Sequence, residues 1–135
     1  MKKFLLIVGF SISCLVFGKE VKLKKGMIEV GGNVWAKYEK CGGFDSECSV
    51  IDKDNNEIVF MKTAGSASGK NYDRIEITFI NTGEKVEYRK FGHFKKIIQL
   101  LVDNKVLNED KIESEKLKNF ILKYDEKTVK LNYNN

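Results

Sequence analysis

The stretch Tyr72-Asp-Arg-Ile-Glu-Ile-Thr-Phe-Ile80, Asn81-Thr-Gly-Glu84, Lys85-Val-Glu-Tyr-Arg89 and, past Lys90, Phe91-Gly-His-Phe-Lys-Lys-Ile-Ile-Gln-Leu-Leu-Val102 decides the fold class. In its first part Ile75, Ile77 and Phe79 share one face, while Arg74, Glu76 and Thr78 share the other. That two-residue period belongs to a half-buried strand. Asn81 to Glu84 has the composition of a turn and sends the chain back into a second strand. Beyond Lys90 the period lengthens. Phe91, Phe94, Ile97, Ile98, Leu101 and Val102 recur three and four apart, with Lys95, Lys96 and Gln99 facing away. This is the stripe of an amphipathic helix. The chain therefore changes from sheet to helix near residue 90.

Upstream, from Val21, the same two-residue rhythm continues in short pieces. Gly31-Gly32 separates Met27–Val30 from Asn33–Lys40, a hairpin signal. In the second of these runs Val34, Ala36 and Tyr38 alternate with Trp35, Lys37 and Glu39. Asp52 to Asn56 is a polar turn between Ser49–Ile51 and Ile58–Lys62. Downstream, Leu117, Phe120, Ile121 and Tyr124 mark a second helix after a link at Asn104 to Asp110. Ser114 or Asp110 is its expected N-cap, and Asp110 with Glu113 has capping-box spacing. Val129, Leu131 and Tyr133 alternate in an otherwise polar tail, which suits either an added edge strand or an end that frays from about residue 126. The expected fold is α+β: an antiparallel meander sheet of five or six strands, followed by two C-terminal helices packed on one face.

The composition agrees. The chain has 135 residues, 42% hydrophobic and 32% charged, with 11 Gly and no Pro. Such a chain is too apolar for intrinsic disorder, and it has neither a collagen period nor a linker that would divide it. One domain, residues 19–135, is expected.

Residues 1–18 have the pattern of a cleaved bacterial signal peptide. Lys2 and Lys3 precede an apolar run from Phe4 to Phe17, and Val16 and Gly18 suit a cut before Lys19. The run is shorter than the roughly 20 residues of a comfortable transmembrane helix. The alternative is a lipoprotein anchored through Cys14. Against it, Ser11 stands where a Leu is usual, and Leu15-Val16-Phe17 is apolar where a mature lipoprotein is polar. The chain is thus expected in the periplasm or outside the cell, with no transmembrane segment in its mature part. Cleavage removes two lysines from a formal charge of +5, and the mild remainder argues against a nucleic-acid partner.

Cys41 and Cys48 enclose Gly42-Gly43-Phe44-Asp45-Ser46-Glu47. An even pair in an exported chain reads as a disulfide, and the two glycines offer the freedom that a tight loop needs. The spacing is wider than that of a redox motif, and one His among 135 residues leaves a metal short of ligands.

Sequence chemistry suited to catalysis is sparse. Ala64-Gly-Ser-Ala-Ser-Gly-Lys70-Asn71 approaches a phosphate-binding loop, but Ala64 and Asn71 replace the first Gly and the Ser or Thr, and a strand follows where a helix is required. Asp52, Asp54 and Asn56 alternate as in a calcium loop, yet Glu57 and Thr63 stand where Gly and a bidentate acid belong. His93 has no evident nucleophile beside it. No catalytic residue, cofactor or metal site is therefore assigned, and no enzyme is expected.

Two features suit binding instead. In Tyr88-Arg89-Lys90-Phe91-Gly92-His93-Phe94-Lys95-Lys96, Arg89, Lys90, Lys95 and Lys96 interleave with aromatics and His93. This pattern suits an acidic protein, an anionic glycan or a lipid surface, but the favoured reading is that Phe91 and Phe94 enter the core while the charges form a solvated face. Trp35 lies on the polar side of its expected strand, either exposed as a recognition anchor or covered by a helix. The leading expectation is a non-enzymatic binding or interaction module of the envelope or exterior. An inhibitor of a foreign hydrolase would fit this description, although no residue selects it. A small-ligand carrier or enzyme, with a site invisible in sequence, is the alternative.

Overall fold

The computed structural model of the chain describes residues 19–65, 72–89 and 93–125. The signal-peptide and Cys14 readings, the glycine-rich loop at 66–71, Lys90, Phe91 and the tail from 126 lie outside them.

Seven strands form one sheet: β1 (Val21–Lys24), β2 (Met27–Val30), β3 (Asn33–Lys40), β4 (Glu47–Ile51), β5 (Glu57–Gly65), β6 (Tyr72–Phe79) and β7 (Glu84–Tyr88). Each pairs antiparallel with the next, in the order β1 to β7, so the sheet is the expected meander. The count is seven rather than five or six because the chain reverses already at Lys25-Gly26. Both residues are left-handed, at φ 50° and 79°, so two residues suffice to pair Lys24 with Met27. Two helices follow, α1 (Phe94–Asp103) and α2 (Ser114–Tyr124). The short strands β8 (Leu107–Asn108) and β9 (Lys111–Ile112) pair within the link between them.

One face of the sheet carries Val21, Ile28, Val30, Ala36, Val50, Met61, Ile75, Ile77, Phe79 and Val86, all buried. Against it lie Phe94, Ile97, Ile98, Leu101 and Val102 of α1, with Leu117 and Phe120 of α2. Removing this apolar surface from water is the main drive for folding. Phe120 meets Phe79 edge-on at 6.5 Å and Tyr124 at 4.8 Å, and Tyr124 meets Tyr88 at 6.0 Å. These rings hold α2 to β6 and β7.

Two side chains, Gln99 on α1 and Asp125 just past the end of α2, bond to the outer strands. The Val21 amide of β1 donates to Gln99 Oε1 at 2.8 Å, and Gln99 Nε2 donates to the Lys19 carbonyl at 2.8 Å. At the opposite edge the Glu87 amide of β7 donates to Asp125 Oδ1 at 3.0 Å. Unpaired edge groups invite pairing with other chains, so these three bonds blunt the two edges of the sheet.

The capping expectation is corrected. The N-cap of α2 is Glu113, with no side-chain cap bond, while Ser114 is the first helical residue. Asp110 instead accepts the Lys53 amide at 3.0 Å, pinning the β8–β9 hairpin to the turn between β4 and β5. Its carboxylate is used for a tertiary contact, which local spacing does not encode. The Asp52 carboxylate is likewise used within its own turn, accepting the amides of Asp54 (2.9 Å) and Asn56 (2.8 Å).

Candidate functional site

Ile28 of β2 faces Ala36, and Glu29 faces Val34, so Trp35 is the extra residue of a β-bulge in β3. A bulge shifts the alternation of its strand by one residue. Val34 is consequently 50% exposed, although it was expected to share a face with buried Ala36. Trp35 is half-buried and packs against the core. Its expected place on the polar face is thereby corrected: the ring turns toward the helices. A second bulge does the same in β5, where Val50 faces Val59 and Ile51 faces Glu57. The extra residue there is Ile58, and both Ile58 and Val59 are buried.

Trp35 lines a groove of about 770 Å³. The end of α1 contributes Val102 and Asp103, the interhelical link Lys105, Leu107 and Asn108, and the start of α2 Glu113, Glu115 and Lys116. Lys19 closes one side, its Nζ 5.5 Å from the centre of the Trp35 ring. Trp35, Val102 and Leu107 make the apolar part. Three lysines, Lys19, Lys105 and Lys116, face three carboxylates, Asp103, Glu113 and Glu115. Asp103 Oδ1 accepts from Gln99 Nε2 at 2.9 Å, and Glu113 Oε1 from Asn108 Nδ2 at 3.3 Å. The groove thus offers an aromatic wall inside a rim of balanced charge. Sequence reasoning singled out Trp35 alone. The other lining residues carry no local signal, because the bulge and the interhelical link bring them together.

The basic segment lies elsewhere. Phe94 is buried at the start of α1, as the core reading allowed, and Tyr88 packs on Tyr124. Arg89, His93, Lys95 and Lys96 are exposed. His93 is the N-cap of α1 without a side-chain cap bond, and its carbonyl accepts the Lys96 amide at 2.9 Å. No acidic residue occupies the first turn. Lys95 and Lys96 therefore sit where the helix dipole disfavours positive charge. The groove stands at the other end of this ten-residue helix, about 15 Å away along its axis. The structure does not bring Trp35 and the basic residues into one site.

The third feature is the loop between β3 and β4. Cys41 and Cys48 form a disulfide there, and Cys48 is fully buried. The loop's left-handed residues are Lys40 (φ 62°) and Cys41 (φ 69°) rather than the two glycines. Each costs about 1–2 kcal/mol relative to an ordinary conformation. Gly42 serves by its lack of a side chain, since a Cβ there would meet Asp45 Oδ2 at 2.9 Å. That oxygen accepts the Gly42 amide at 2.7 Å. The Ser46 carbonyl accepts the Thr63 amide at 2.9 Å, and Lys40 pairs with Glu47 at 3.2 Å.

Among the described residues, no group of three or more His, Cys, Asp or Glu side chains is placed to hold a metal ion. No helix among them is long and apolar enough to cross a membrane. The disulfide and that observation are compatible with an exported protein. Comparisons of the chain with protein-family models, with curated proteins and with solved structures found no match.

Proposed function

We propose that the protein is an exported, non-enzymatic binding module whose site is the groove beside Trp35. The observation that supports this reading is the groove's make-up: about 770 Å³, an aromatic wall, and a rim of three cations and three anions. Binding sites for small molecules commonly have this size and this mix of apolar wall and few polar groups. The balanced rim favours an occupant of low net charge with an apolar or aromatic portion. Binding is preferred over catalysis because His93 lies at the far end of α1 and both described cysteines are joined in a disulfide. A small-ligand carrier is the second reading, favoured by the same volume. The exposed cations Arg89, Lys95 and Lys96 are proposed to orient the module toward an acidic protein, glycan or lipid surface.

Trp35 is the sole tryptophan of the chain, so its fluorescence reports on the groove directly. The test is a titration with N-phenyl-1-naphthylamine, a neutral apolar probe, beside capture from envelope and secreted extracts on wild-type and Trp35→Ala baits. The expected result is saturable quenching of Trp35 and probe affinity lowered about tenfold or more by Trp35→Ala. A captured component should be lost from the variant bait as well. Non-saturable quenching together with identical capture by both baits overturns the proposal.

A further inference from the structure

We propose that the Cys41–Cys48 loop is a preformed protein-recognition loop whose Phe44 side chain seats in an apolar pocket of a partner protein. Phe44 has a relative exposure of 108%, so the fold gives its ring no cover. Its surroundings are the opposite of loose. The disulfide closes the loop, Asp45 is tied to Gly42 through both its carboxylate and its amide, and β5 grips the Ser46 carbonyl through Thr63. Two left-handed residues, Lys40 and Cys41, are held at the loop's base. A fully exposed aromatic on a rigid support loses little freedom on binding, and buried aromatics of this kind are frequent energetic centres of protein interfaces.

The neighbouring charges favour a protein over a membrane. Asp45 and Glu47 flank the tip, and the nearby cations Lys40 and Lys62 are each paired with a carboxylate, Glu47 and Glu76 respectively. Those pairs cancel, so Asp45, held on the Gly42 amide, leaves the tip with a surplus negative charge that anionic lipid repels and that complements a pocket edged with donors or cations. The surface is separate from the groove, because β3 sets Trp35 and Lys40 about 16 Å apart. Either site can therefore fail without the other.

The test places the photo-crosslinker p-benzoylphenylalanine at position 44 of the full chain and irradiates it in native extracts. The adduct is identified by mass spectrometry, and the purified partner is titrated with wild type, Phe44→Ala and Phe44→Leu. The expected result is one defined protein adduct, affinity lowered about 30-fold or more by Phe44→Ala, and partial retention by Phe44→Leu. Reduction of the disulfide should also weaken binding, while Trp35→Ala should not. An unchanged urea midpoint for Phe44→Ala confirms that the variant is folded. Equal affinity of wild type and Phe44→Ala overturns the proposal. So does Phe44-dependent binding to phosphatidylglycerol–phosphatidylcholine vesicles without a protein adduct, or Phe44-dependent self-association in sedimentation velocity.

Discussion

Asp125, just past the end of α2, accepts a hydrogen bond from the backbone amide of Glu87 on β7, at 3.0 Å and 38 residues' separation. It is a charged residue with only 7% exposure, placed where the outer strand of the sheet would otherwise present an open amide. The bond joins the last described helix to the last strand of the seven-stranded sheet, beside the ring pair of Tyr88 and Tyr124. Sheet edge and helix end therefore satisfy each other. Asp125→Ala leaves a half-buried amide without this acceptor and should lower the unfolding free energy by about 1–3 kcal/mol. Asp125→Asn keeps an oxygen in place and should retain most of it. Urea denaturation gives the midpoints, and faster hydrogen exchange at Glu87 in Asp125→Ala identifies the cause. Equal stability of Asp125→Ala and wild type would show that water replaces the carboxylate.

Gln99 does the corresponding work at β1, with one side chain bonded to Val21, Lys19 and Asp103. Gln99→Ala should speed hydrogen exchange at Val21 well before it melts the core, because an edge strand opens locally. The expected loss of global stability is about 0.5–1.5 kcal/mol for the Val21 bond. Since Lys19 also borders the groove, the variant should broaden the environment of Trp35, read as a red-shifted emission.

The disulfide closes a short loop, with a sequence separation of 7. Chain-entropy arithmetic for that length predicts about 2.5 kcal/mol of stabilisation. Reduction, or Cys41→Ser with Cys48→Ser, should lower the urea midpoint by the corresponding amount while leaving the far-ultraviolet circular dichroism of the folded state unchanged. A collapse of the spectrum without denaturant would mean that the loop organises the whole sheet.

Lys95 and Lys96 occupy the first turn of α1, which has no acidic residue. Glu at either position should raise stability by a few tenths of a kcal/mol at low salt, and the gain should shrink as salt screens it. This sign matters for function. If Lys95→Glu and Lys96→Glu abolish attachment to an acidic surface while the melting temperature rises, the loss is a loss of recognition and not of folding.

Much of the architecture was legible in one dimension. The two-residue alternation of Ile75, Ile77 and Phe79 and the helical stripe from Phe94 to Val102 both bury the side chains that their spacing indicates. Alternation depends on neighbours along the chain, so it survives without knowledge of the fold. The left-handed turn at Lys25-Gly26 was less visible, because a lysine carries no turn signal and the strands it joins are only four residues long.

Sequence by itself determined the α+β class, the order of sheet before helices, the helical core stripe and the pairing of Cys41 with Cys48. Each of these rests on spacing or on a small number of possible partners. Tertiary structure alone decided which way Trp35 faces, what surrounds it, and what Asp110, Gln99 and Asp125 hold. The physical reason is that a bulge changes the phase of a strand only relative to its neighbour, so Trp35 gains its side from the register of β2. A polar side chain chooses its partner by proximity in space. Asp110 meets Lys53 across 57 positions of sequence, and nothing near either residue announces the contact.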